Sequence, residues 1–405
     1  MPPLLSSLRL TNLLSFGPEG AELPMRPLNV LIGANGSGKS NVVEAISLLA
    51  AAPANVAAPV RAGGGVREWL WKGEGAGNRA MVEVVLSEGA VTIGGNPGPA
   101  LRYRLAFGSD GGSFAILDER LEDRDVPPGS REPTFYFGYE DGRPTLGVLG
   151  SPITRRLERQ DVNPTLSILA QIKDPDNYPE LTRVAAQFGR IRSYCDWSFG
   201  QSLTNLFGLP APLRLGCRVD VPNDHLSERL DNLPARLSIL TKDPKVKRSF
   251  LAALGEFSDA FVDFSIAPED GQLRLFLIEK GREVPSSRLS DGTLRFLALL
   301  AILVDPSPAP MTVIEEPELG MHPDIMPVLA KLLVEASSRG QLVVTTHSEL
   351  LVSALSETPE SVVVCEKHDG RTILKRLEAS EVAPFLQSYR LGDAWLRGMI
   401  GATRW

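Results

Sequence analysis

A chain of 405 residues, 43% hydrophobic and 22% charged, is long enough for two or three lobes and lacks the charge excess or apolar poverty that marks disorder. Its formal net charge of −7 excludes a global electrostatic footprint for nucleic acid, so any contact with DNA has to be local. Three widely spaced cysteines, Cys195, Cys217 and Cys365, and four histidines without ligand spacing argue against a disulfide framework and a zinc site; the cysteines read as packing residues of a protein in a reducing cytoplasm.

The opening MPPLLSSLRL has neither the basic start nor the long apolar run of a secretory signal. Its LLSSLRL and the later PLNVLIG read as short strands, the second running through a glycine-rich turn into the apolar-periodic helix VVEAISLLA. The turn, Gly33-Ala34-Asn35-Gly36-Ser37-Gly38-Lys39-Ser40, is a complete G-x-x-x-x-G-K-S between strand and helix. Glycines let the backbone curl so that successive N–H groups point at phosphate oxygens, and the helix behind them presents the positive end of its dipole. Lys39 then neutralises the β- and γ-phosphates and Ser40 ligates Mg²⁺; the nucleotide-binding set is Gly33, Asn35, Gly36, Ser37, Gly38, Lys39, Ser40 and Asn41. This loop by itself does not separate ATPases from GTPases, kinases or transporters, which all cradle phosphates in this way.

The stretch from Ala51 to Gly65 is small, Pro-rich and Gly-rich and reads as a mobile loop, and the tryptophans of VREWLW after it read as core. From about Arg79 to Gly150, β-rich runs separated by GGNPGP, GSDGG and DVPPGS turns predict an antiparallel sheet. Between about Pro152 and Phe257 the pattern turns helical, with prolines bounding several short helices. The last third alternates strands and helices, as a parallel or mixed sheet with helices packed on it requires. The expected divisions are therefore 1–150, 151–260 and 261–405. No heptad run and no fixed-period repeat is visible, and the apolar stretch Phe296–Val304 is about half of the roughly 20 residues a membrane span needs.

Three further motifs lie in that last third. Leu289-Ser290-Asp291-Gly292-Thr293 stands directly before an apolar helix, where a serine hydroxyl and a glycine-freed backbone make a second anion site, although a short S-x-G there is by itself more often a cap. MTVIEEPE carries a buried strand to two carboxylates. In Walker B chemistry the first acid holds Mg²⁺ and the second orients or deprotonates the attacking water, which assigns Glu315 to metal and Glu316 to catalysis. QLVVTTHS places His347 at the end of another apolar strand.

The order of these motifs resembles that of ABC-type P-loop ATPases, and EEPELGMHP is close to the form found in RecF-like and OLD-like members, with SMC heads as further kin. The implied fold class is α/β: an ABC-type head with a mixed central sheet, an antiparallel β subdomain and a helical lobe. In that class the signature, usually LSGGQ and here LSDGT, contacts the γ-phosphate of ATP bound on the other subunit; Ser290 and Gly292 would do so here. The resemblance thus implies ATP and Mg²⁺ held in an ATP-dependent homodimer, with Glu318–Pro323 as D-loop at the interface and His347 as the switch histidine. It also implies a metal-contacting glutamine, Gln171 or Gln160, and places Asn12 or Phe16 toward the adenine, although packing is the plainer role for each.

Ser40 and Ser290 are 250 positions apart, too far for a compact transporter head, and the interval lacks the coiled coil of SMC proteins. Only Lys367–Trp405 follows Cys365-Glu366, too little for the Toprim nuclease of OLD proteins. Two roles follow from the resemblance. In one the dimer clamps DNA in repair, recombination or genome maintenance, with Arg155, Arg156, Arg159, Arg190 and Arg192 as contacts. In the other it regulates a separate effector, a nuclease or toxin of genome defence, without touching DNA; the acidic balance of the chain suits this second role.

Overall fold

The computed structural model describes residues 2–93, 96–140, 143–147, 154–156, 162–197, 214 and 216–401. Two compact units are formed, neither continuous in sequence: Met1–Ile191 with Glu360–Val382 and Gly398–Trp405, and Arg192–Pro359 with Ala383–Arg397. The stretch 151–260, expected as one helical lobe, is thus shared between the units. Among the described residues no helix is long and apolar enough to cross a membrane.

The first unit contains an eight-stranded antiparallel sheet. Its strands, edge to edge, are Thr154–Arg156, Arg143–Gly147, Phe135–Glu140, Ser113–Asp123, Leu101–Asp110, Arg79–Leu86, Leu5–Thr11 and Ala21–Pro24. In Arg79–Leu86 burial alternates residue by residue, with Ala80, Val82, Val84 and Leu86 inward, the period-two pattern of a sheet packed on one face. The same unit holds the buried strand Leu28–Ile32, paired in parallel with Val362–His368, which pairs antiparallel with Arg371–Arg376. The segment expected as a mobile loop contains the helix Ala57–Ala62, because Val56, Ala57 and Val60 find buried positions that compositional reading does not foresee. Trp69 and Trp71 are buried, as their clustering suggested.

One buried carboxyl makes the first unit sensitive to pH. Glu119 is 2% exposed and accepts hydrogen bonds from Tyr103 Oη (2.7 Å), Ser167 Oγ (2.5 Å) and Ile168 N (2.8 Å), tying the sheet to the N-terminus of the helix Ile168–Gln171. Burial outweighs these donors and pushes the carboxyl up to about 7. A carboxyl raised in the folded state contributes stability that is complete below its unfolded pKa, near 4.5, and lost as pH rises through about 7. Thermal unfolding should therefore show this unit losing on the order of 3 kcal/mol between those limits. Glu119→Gln should flatten that slope, and an unchanged slope in the variant would place the titration elsewhere.

The second unit carries three parallel strands, Arg192–Tyr194, Met311–Glu315 and Gln341–Thr345, with Val313 opposite both Ser193 and Val343. All five residues of Gln341–Thr345 and the first four of Met311–Glu315 are buried, as strands covered on both faces must be. A four-stranded antiparallel sheet (Cys217–Arg218, Phe261–Glu269, Gln272–Glu279, Arg282–Pro285) and the helices Leu233–Leu240, Pro244–Phe257, Asp291–Leu303 and Met326–Ser337 complete its frame. The helix Asp291–Leu303 is buried all round from Thr293 to Leu303 and so holds a fixed place in the core. A buried ion pair between Arg236 and Asp305 (2.5 Å) joins Leu233–Leu240 to the turn that follows the helix Asp291–Leu303.

Candidate functional site

The glycine-rich loop leaves the buried strand Leu28–Ile32 and ends at Lys39, where the helix Lys39–Ala51 begins. A Cβ at Gly33 would lie 2.3 Å from the carbonyl oxygen of Cys365, and one at Gly38 would lie 2.2 Å from Thr372 Oγ1; both positions also have positive φ. Only glycine lets the loop lie this close to the strands behind it. Lys39 is 6% exposed, and its ammonium donates to the carbonyls of Gly33 (2.8 Å) and Ala34 (3.1 Å), so the cation is held over the loop. Ser37 Oγ is buried in the loop with no hydrogen-bond partner. Asn35, Gly36 and Ser40 are exposed around it. Because the first N–H groups of a helix lack intrahelical acceptors, loop and helix start together form a built cradle for an anion, which fits a nucleotide phosphate chain.

A relay invisible in the motif holds this cradle. Asn41 Nδ2 donates to Ser15 Oγ (2.6 Å), Ser15 and Thr372 share a 2.6 Å hydroxyl bond, and Thr372 Oγ1 donates to the Ser37 carbonyl (2.9 Å). Since the Thr372 proton goes to Ser37, Ser15 is the donor to Thr372. Ser15 and Thr372 are 357 positions apart, so no local pattern could have paired them. Beside Ser15, Phe16 is fully buried and Asn12 takes a positive φ in the turn.

The acidic pair lies in the second unit at the end of Met311–Glu315. Glu316 has φ 44°, unusual for a residue with a Cβ, and its N–H donates to Thr345 O (3.0 Å). Its Oε1 is 3.6 Å from Nε2 of His347, which stands past the end of the adjacent strand Gln341–Thr345; each side chain is 36% exposed, reachable but not dispersed into solvent. Glu318 Oε1 accepts from Thr346 Oγ1 (2.6 Å) and His347 N (2.9 Å), fixing the backbone that carries the histidine, while its Oε2 is buried without a partner. Cys195, expected to pack, is instead exposed just past the strand Arg192–Tyr194, with its thiol beside the Glu315 carboxylate.

In the same unit Ser290 caps the helix Asp291–Leu303, accepting from Thr293 N (3.1 Å). A Cβ at Gly292 would stand 2.3 Å from the Gly320 carbonyl, so this glycine is required where the signature helix meets the turn after Glu318. Arg214 donates to the carbonyl of Leu289 (2.8 Å) and pairs with Asp291, cinching the loop in a way the sequence did not suggest. Gln171 is placed otherwise than expected. Its amide accepts from Asn163 N (2.8 Å) and donates to Leu166 O (2.7 Å), so the group that should reach a metal instead closes the turn before its own helix. Gln160 and Arg159 lie outside the described residues; Arg155 and Arg156 fall in the edge strand Thr154–Arg156, Arg190 is exposed and Arg192 half-buried.

The profile of the family described as "AAA domain, putative AbiEii toxin, Type IV TA system" matches residues 28–353, a span from the strand before the glycine-rich loop to the helix after His347. No curated protein matches the sequence. Among solved structures, the Smc head bound to the C-winged helix domain of ScpA has a TM-score of 0.57 at 16% identity, covering 94% of this chain and 100% of that one. The Smc head domain with an extended coiled coil, bound to the C-terminal domain of ScpA and derived from Pyrococcus furiosus, gives 0.55 at 15% over 95% and 99%. The Smc head with coiled coil and joint from Pyrococcus yayanosii gives 0.50 at 12% over 95% and 99%. At these identities the likeness is one of fold, the mixed α/β fold of an SMC ATPase head.

Proposed function

We propose, on the premise that this chain belongs to the AbiEii-type AAA-domain family and is an ABC-type P-loop ATPase of the SMC and RecF kind, that it binds ATP, dimerises around it and hydrolyses it. The observation that carries the reading is one chain with two built halves: a phosphate cradle closed by Lys39, and the Glu316–His347 pair set 3.6 Å apart at the end of a buried strand. In this reading Lys39 and the loop N–H groups grip the phosphates, with Gly33, Asn35, Gly36, Ser37, Gly38 and Asn41 shaping the grip. Ser40 and Glu315 hold Mg²⁺, which when bound neutralises charge on the phosphoryl oxygens. Glu316 orients and deprotonates the attacking water, and His347 holds the carboxylate and faces the terminal phosphate. Gln171, whose amide closes its own turn, is left out of this reading.

Ser290 and Gly292, at the start of Asp291–Leu303, serve the nucleotide of the other subunit. A single chain holds one cradle and one signature, so two copies complete two sites about a two-fold axis. Light scattering tests this directly: the wild type should become a dimer with ATP and Mg²⁺, whereas Ser290→Arg should retain ATP affinity and remain a monomer. Undiminished dimerisation of Ser290→Arg would remove the signature from the interface.

For the output of the cycle we favour a clamp on DNA in repair, recombination or genome maintenance, supported by the likeness to SMC heads in fold. The net charge of −7 and the family's description as a putative AbiEii toxin of a type IV TA system favour a second reading, control of a separate effector. Adding single- and double-stranded DNA at low and moderate salt to the ATP-bound dimer separates them. Salt-sensitive capture only with ATP supports the clamp, and indifference to DNA supports the effector.

A further inference from the structure

The acidic pair is held from behind by two residues that no motif contains. Trp197, just beyond the strand Arg192–Tyr194, donates its indole N–H to the carbonyl of Glu315 (2.7 Å). Arg295, in the helix Asp291–Leu303, donates from Nη1 to the carbonyl of Glu316 (3.1 Å). The two also hold each other, the guanidinium carbon lying 5.1 Å from the centre of the Trp197 ring. Consecutive carbonyls of the two carboxylate-bearing residues are therefore gripped by one stacked pair, while the N–H of Glu316 is fixed to Thr345 O from the other side.

This grip acts at the one backbone position of the acidic pair that needs it. Glu316 has φ 44°, a left-handed conformation that is disfavoured for a residue with a Cβ and gains from being held by its surroundings. Arg295 is 8% exposed and Trp197 9%, so the pair is part of the packed interior and is not remodelled by solvent. Burial disfavours the charge on Arg295, while the neighbouring carboxylates of Glu318, Glu316 and Asp291 favour it.

We infer that Trp197 and Arg295 are positioning residues for hydrolysis: by holding the Glu315 and Glu316 carbonyls they keep Glu316 in its left-handed conformation and so aim its carboxylate. The inference rests on the reading of Glu316 as the water-activating group. Arg295→Lys keeps the charge but loses the planar fork that stacks and donates together, and Trp197→Phe keeps a ring face but loses the donor to Glu315.

Each variant should lower kcat at saturating ATP by about tenfold or more, because small misplacements of a reacting group cost up to roughly a hundredfold. The affinity for a fluorescent ATP analogue should stay within about twofold of wild type, since the phosphate cradle is built from other residues. The decisive readout is non-additivity: in a Glu316→Gln background, Arg295→Lys should change the residual rate little, because the group through which it acts is gone. Wild-type turnover in both variants would overturn the inference. So would a loss of turnover matched by equal loss of ATP affinity and melting temperature, or full additivity with Glu316→Gln, each of which marks a merely structural role. A wild-type protein that binds but never hydrolyses ATP would sink the reading of Glu316 itself, and the inference with it.

Discussion

Glu316→Gln is expected to cut steady-state ATP turnover by about 10²–10⁴-fold, the usual contribution of a positioned general base, while ATP stays bound and the dimer persists. The amide matches the carboxylate in shape, so the left-handed backbone at φ 44° and its bonds to Thr345 and Arg295 should survive. What disappears is the negative charge 3.6 Å from the His347 ring and the ability to take a proton from water. Phosphate release together with nucleotide retained through gel filtration measures both halves of the prediction. Turnover at the wild-type rate would move the water-activating role away from Glu316.

Lys39→Ala should act one step earlier. The ammonium is nearly buried and sits on the carbonyls of Gly33 and Ala34, so the substitution removes the counter-charge to the phosphates and leaves those carbonyls without their donor. Charge-assisted contacts of this kind are among the strong ones, and the expected fall in ATP affinity is at least about a hundredfold. The raised melting temperature that ATP and Mg²⁺ confer on the wild type should vanish, because a ligand stabilises only the state that binds it. A thermal shift equal to wild type would show that this loop is not the nucleotide cradle.

These two variants touch the parts of the site that local pattern marks. A loop that must turn within a few residues needs its glycines at fixed spacing, and Gly33 and Gly38 do occupy the close approaches to Cys365 and Thr372. A strand buried on both faces is a run of apolar residues, so Met311–Glu315 and Gln341–Thr345 announce themselves, along with the acids and the histidine at or just past their ends. The antiparallel sheet was legible for the same reason, since turn residues punctuate β-rich runs. Small residues and Pro59 make the segment from Ala51 to Gly65 read as a loop, yet Val56 and Val60 have a core to enter and the segment holds a helix. The sequence does not tell Gln171 from Gln160, because a lone glutamine carries no local mark of whether its amide will meet a distant ligand or, as at Gln171, its own turn.

The sequence by itself thus determined the α/β class, the phosphate-binding loop and the acidic strand end, all set by contacts within a few residues along the chain. Only the tertiary structure decided that Glu360–Val382 belongs with the first unit, that Ser15 and Thr372 brace the loop, that Cys195 faces Glu315, and that Trp197 and Arg295 grip the acidic pair. Each joins residues tens to hundreds of positions apart, and no spacing rule encodes such a pairing, because what brings them together is the burial of whole strands and helices and the need to satisfy the polar groups buried with them.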